Sequence, residues 1–186
     1  VCSSDLEPVD DLGYLPRPGR RVTARKFVGD KLIYDVAYTI GADGFRVRNP
    51  PQGAENRCLV LFGDSNTFGE GVNDGETYAW HLGAYNFGMS GYGAHEMLAG
   101  LQSGRYTRSL ACAPTHVVYF FLPEHVARTA GRAPWNDRGP RYRLEEGPRG
   151  ERRAVRDGNF HHGPKPPPPD LDEGALGWRQ IGRAHV

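Results

Sequence analysis

The run Cys58-Leu-Val-Leu-Phe62 passes directly into Gly63-Asp-Ser-Asn-Thr-Phe-Gly-Glu-Gly71, and this junction restricts the fold more than any other stretch of the chain. A continuous apolar run ending in glycine suits a strand covered on both faces, as in a parallel sheet. The pattern then alternates. Thr77–Leu82 reads as a short helix capped by Asp74 or Thr77, and Ala84–Phe87 as a short strand. Ala94–Tyr106 reads as a helix with Met97, Leu98, Leu101 and Tyr106 on its buried stripe. Val117–Leu122 reads as a second buried strand, stopped by Pro123, which starts a helix through Ala130. Strands alternating with helices and joined by right-handed crossovers predict an α/β fold: a flavodoxin-like three-layer α/β/α sandwich with a parallel sheet.

The flanks read differently. Residues 7–20, rich in Pro and Gly, predict an irregular lead-in. In 22–40 the alternation of Tyr34, Val36, Tyr38 and Ile40 against Asp35 and Thr39, with Gly29-Asp30 between two runs, predicts a β-hairpin. Tyr142–Glu145 and Ala154–Arg156 suit a polar hairpin, and Pro164–Pro169 an extended segment. The tips Val1–Leu6 and Ile181–Val186 are encodable as the two strands of one DNA stretch resembling a sequencing adapter, so they are expected to stand outside the fold. The expected division is 1–6 and 181–186 as such tips, 7–56 as a β-rich lead-in, 57–160 as a partial α/β domain, and 161–180 as a proline-rich segment.

Composition narrows the partners. Lys and Arg (23) nearly balance Asp and Glu (22), which leaves no electrostatic case for nucleic acid or an anionic membrane surface. No apolar run is long enough to span a bilayer. Cys58 and Cys112 form no metal-binding spacing and read as two small buried hydrophobes. No metal or organic cofactor is implied. Localisation stays open, and an exported or anchored parent is compatible with the sequence.

A serine at the carboxyl end of a parallel strand is exposed on a rigid scaffold, and the helix after it turns backbone N–H groups toward developing negative charge. The bland reading of Ser65 is a helix cap in an ordinary turn; the longer run Gly63–Val72 favours a nucleophile. Here the chain resembles the SGNH/GDSL hydrolases over about residues 7–160, and most closely a subgroup whose lead-in ends near Gly44-Phe45-Arg46. The first family block matches Gly63–Ser65. The second resembles Asn86-Phe-Gly-Met-Ser-Gly-Tyr-Gly93, which makes Gly91 the oxyanion glycine beside the Ser65 N–H.

The third block departs from the family pattern. In place of G-x-N-D the chain has Pro123-Glu-His-Val126, so His125 either donates a hydrogen bond in place of the missing Asn or lies on the helix surface without a role. Asn136-Asp137 has the right residues but follows no strand. No Asp-x-x-His forms the fourth block; His161 and His162, with Asp157 upstream, have the wrong spacing and no third metal ligand.

The resemblance implies a serine esterase acting by acyl transfer to Ser65 on a small-molecule or carbohydrate ester. Asp64 would be a structural partner for nearby loop N–H groups, and the catalytic His would lie beyond this sequence, leaving the chain itself inactive. The alternatives are a non-catalytic binding domain of the same fold and a related O-acyltransferase.

Overall fold

The computed structural model describes residues 5–49, 57–133 and 135–160. The terminal tips apart from Asp5 and Leu6, residues 50–56, His161, His162 and the proline run lie outside the described residues. Strands β1 (Leu6–Val9) and β2 (Gly13–Pro16) pair antiparallel, so the lead-in expected to be irregular is a small hairpin that Leu6 opens. Its prolines sit where a two-stranded ribbon tolerates them, Pro8 on an exposed position and Pro16 at a strand end, while Leu12 and Leu15 are buried.

The hairpin of β3 (Arg21–Val28) and β4 (Lys31–Thr39) turns at Gly29-Asp30. The alternation works as read: Val36, Tyr38 and Ile40 are buried and Tyr34 packs beside them, while Asp35 faces out to Arg25 at 2.8 Å.

The central sheet follows. Strand β5 (Leu59–Phe62) leads into a one-turn helix α1 (Ser65–Phe68), and a 3-10 turn (Asp74–Glu76) precedes α2 (Tyr78–Leu82). Of the two caps expected for α2, Thr77 serves: its hydroxyl accepts the Trp80 N–H at 3.1 Å. Strand β6 (Tyr85–Asn86), helices α3 (Ala94–Gln102) and α4 (Arg105–Arg108), strand β7 (His116–Tyr119) and helix α5 (Glu124–Thr129) complete it. The sheet is parallel, ordered β6-β5-β7, so β5 is central. Strands β8 (Pro140–Glu146) and β9 (Arg152–Asn159) form the expected polar hairpin. The chain is thus a mixed α/β protein built on a small parallel sheet with an N-terminal hairpin. No helix among the described residues is long and apolar enough to cross a membrane.

Three further expectations need correction. The helix over Ala94–Tyr106 is broken at Ser103-Gly104, where Gly104 adopts φ +72°, and its buried face carries His95, Glu96, Ala99 and Gly100, while Leu101 is exposed. Two ionisable groups bury there because they pair, His95 Nε2 with Glu96 Oε1 at 2.9 Å. Strand β7 is apolar but lies at the sheet edge, with Val117 and Phe121 each 59% exposed. Cys58 and Cys112 are joined by a disulfide, Cα to Cα 6.0 Å, because the crossover returns the chain to the start of β5 just before β7.

The core lies between the lead-in and the sheet: Tyr38, Phe45, Phe62, Phe68, Phe87 and Tyr106 pack in one cluster, largely edge to face. The lead-in also reaches the β6 edge through an antiparallel bridge from Arg46 to Asn86.

Candidate active site

Phe62 ends β5, and the chain then turns through Gly63, where any Cβ would overlap the Thr67 side chain. Asp64 caps the helix that begins at Ser65, its Oδ1 accepting the Asn66 N–H at 3.0 Å. That helix is one turn long, so most of its carbonyls have no partner within it. Arg46, buried to 3% exposure, supplies what is missing: it donates to the carbonyls of Phe68 (2.9 Å), Gly69 (2.6 Å) and Val72 (2.7 Å) and to Asp74 Oδ1 (3.1 Å). Its cation also lies 4.5 Å from the Tyr38 ring centre.

The segment after β6 runs along the end of β5, with Phe87 N–H donating to Leu61 O (2.9 Å) and Met89 N–H to Gly63 O (3.3 Å). This pairing brings Gly91 to the Ser65 end of the sheet. Gly91 has φ +88°, and a Cβ there would stand 2.5 Å from Trp135 Nε1 and 2.6 Å from the Tyr14 hydroxyl, so only glycine fits. Ser65 and Gly91 line one cleft of about 560 Å³ together with Tyr14, Glu70, Arg128 and Trp135. Among the described residues, neither the Ser65 nor the Gly91 backbone N–H donates to any group, and nothing hydrogen-bonds Ser65 Oγ.

The walls are fastened around this pair. Tyr14 donates to Ser90 O at 2.6 Å, Ser90 Oγ to Glu70 Oε2 at 2.9 Å, and Tyr92 to Tyr14 O. Trp135 leans over Gly91, its indole N–H 3.4 Å from Gly91 O. Next to it, Asn136 is buried and donates to Glu96 Oε1, which ties the Trp135 loop to α3.

Beneath Ser65, Asp64 is 1% exposed. Its Oδ2 accepts Arg128 Nη1 at 3.0 Å and stands 3.3 Å from His125 Nε2. Burial alone would raise its pKa; the Asn66 N–H, Arg128, the Asn66 amide and His125 outweigh burial and hold the carboxyl below the usual carboxylate range. His125 is buried and does not line the cleft. Its Nδ1 accepts the Leu122 N–H (3.4 Å) and lies 2.6 Å from the Tyr119 hydroxyl, which burial, Glu96 and Asp64 push up to about 12, so the phenol keeps its proton.

The structure therefore brings Ser65, Gly91 and Asp64 to one end of the sheet and sets His125 behind Asp64. His95 is enclosed by Glu96, Asn136 and Thr129, His116 is exposed beside Thr115, and His81 is exposed on α2. Among the described residues there is no cluster of three or more His, Cys, Asp or Glu side chains suited to a metal ion. Arg128 was passed over in the sequence, although its i, i+3 spacing from His125 puts the two on one helix face. Trp135 carries no such signal, and Asn136, notable in the sequence only for the Asn136-Asp137 pair, takes its place from a loop packed against α3. Comparison with protein-family models gives no match, and comparison with curated proteins gives none.

Proposed function

We propose that this chain carries the nucleophile and oxyanion site of an SGNH/GDSL-type serine esterase on a flavodoxin-like three-layer sandwich. The observation that carries the reading is the meeting of Ser65 and Gly91 in one cleft at the carboxyl ends of neighbouring parallel strands, each with a backbone N–H that no group among the described residues engages. In the reaction, Ser65 Oγ attacks the ester carbonyl carbon while a general base takes the hydroxyl proton. The oxygen of the tetrahedral intermediate is held by the Ser65 and Gly91 N–H groups. Collapse expels the alcohol, which receives the proton, and water then releases the acyl group from Ser65. Short acyl esters on a small molecule or carbohydrate are the proposed substrates.

A non-catalytic domain of the same fold is the second reading. It is favoured by the absence, among the described residues, of a histidine bonded to Ser65 Oγ. Treatment of the chain with a fluorophosphonate, in buffer containing imidazole as an external base, separates the two. An adduct on Ser65 that Ser65→Ala abolishes is expected for the enzyme; an unreactive Ser65 favours the binding domain.

A further inference from the structure

We propose that the Arg128 guanidinium is the third donor of the oxyanion site. This rests on the acyl-transfer reading above and adds a catalytic residue to it. Arg128 projects from α5 into the cleft that Ser65 and Gly91 line, with its side chain 13% exposed. Its Nη1 donates to Asp64 Oδ2 at 3.0 Å and to Tyr92 O at 2.8 Å. Asp64 is the chain neighbour of Ser65, and Tyr92 of Gly91, so one nitrogen fastens the guanidinium to the segments that supply both backbone donors.

The rest of the guanidinium is uncommitted. Nε is buried without a partner, and Nη2 has none among the described residues. Asp64 offsets the cation only in part, because its carboxylate is shared with Asn66 and His125. Nε being buried, Nη2 is the nitrogen open to the cleft. A largely buried cation with such an unpaired N–H gains most when an anion forms beside it, which favours the transition state over the neutral ester. The Trp135 ring lies 5.9 Å from the Arg128 cation and forms the neighbouring wall of the cleft.

His125 has no comparable access. Both of its nitrogens face protein, Nδ1 toward Tyr119 and Leu122 and Nε2 toward Asp64. Glu70, one of three acidic residues in the cleft lining with Glu7 and Asp137, is held by Ser90 and Tyr34. As the Ser65 Oγ–C bond forms, the carbonyl π pair moves onto oxygen, and that oxygen accepts from Arg128 along with the two backbone N–H groups.

The test is the rate at which a fluorophosphonate modifies Ser65 in the full chain, with imidazole as external base. In that reaction the Oγ–P bond forms, fluoride leaves and imidazole takes the proton. Arg128→Gln is expected to lower the maximal modification rate roughly a hundredfold, the scale for one oxyanion donor, with little change in half-saturating reagent. Arg128→Lys should fall between, and circular dichroism should report an unchanged fold. If Arg128→Gln unfolds, Arg128→Lys carries the comparison. Full rates in folded variants, or a loss confined to the half-saturating concentration, would overturn the assignment while leaving Ser65 as nucleophile. If the unsubstituted chain is not modified at Ser65, the acyl-transfer reading fails and this one falls with it.

Discussion

Asp64 shows how much one buried carboxylate can organise. It caps α1 through Asn66, anchors Arg128 and faces His125, all from the position before Ser65. Asp64→Asn removes the charge and leaves a buried guanidinium without its counter-ion, at an expected cost of roughly 3 kcal/mol. Since the folded-state pKa is depressed, the stabilisation is complete above the unfolded-chain value of about 4 and is lost as pH falls through the folded value. The stability gap between the unsubstituted chain and Asp64→Asn, measured by urea unfolding, should be widest near neutral pH and close in acid. A gap that persists unchanged at low pH would show that the charge is not what stabilises the turn.

Among the elements, β5 bears the most constraint: it pairs with both neighbours, and Cys58 just before it is bonded to Cys112 before β7. Reduction, or Cys112→Ser, frees a loop spanning 54 positions and is expected to lower stability by about 2–4 kcal/mol. Thermal unfolding with and without reductant would read this as a drop in Tm; identical Tm values would exclude a stabilising crosslink. The elements were legible where a local period decides them. The alternation of Tyr34 to Ile40 gave β4, and the apolar run and glycine gave β5 and the turn to Ser65. The disulfide was not legible, since its partners meet only through the crossover. The burial of His95 and Glu96 escaped for the same reason: both side chains meet Asn136, forty positions away in the case of Glu96, whereas the break after α3 is local and rests on Gly104 with φ +72°. Within the candidate site, Asp64 and Ser65 follow from their place directly after β5, while Gly91 is singled out through the family resemblance of Asn86–Gly93. The wall formed by Tyr14, Arg128 and Trp135 arises from three separate segments.

At the scale of the molecule, the sheet is unsymmetrical. Its β6 edge is covered by Arg46, whereas among the described residues nothing pairs with the outer side of β7, where Val117 and Val118, and Phe121 just beyond the strand, are exposed. An apolar edge of this kind pairs readily with other chains. Self-association should therefore rise with concentration, and Val117→Lys should suppress it with little effect on the fold. Light scattering across a dilution series would show the difference, and equal scattering by both chains would remove the edge as the cause.

The Arg46 bridge makes the lead-in and the sheet inseparable in inheritance as well as in space. A segment that supplies the guanidinium for three carbonyls of the Ser65 turn cannot be exchanged as a detachable module. A recombinant boundary drawn at Arg57 would retain every residue of the Ser65 turn yet discard the group that holds its shape. A chain cut there would then be expected to keep the sequence of the turn and lose its shape.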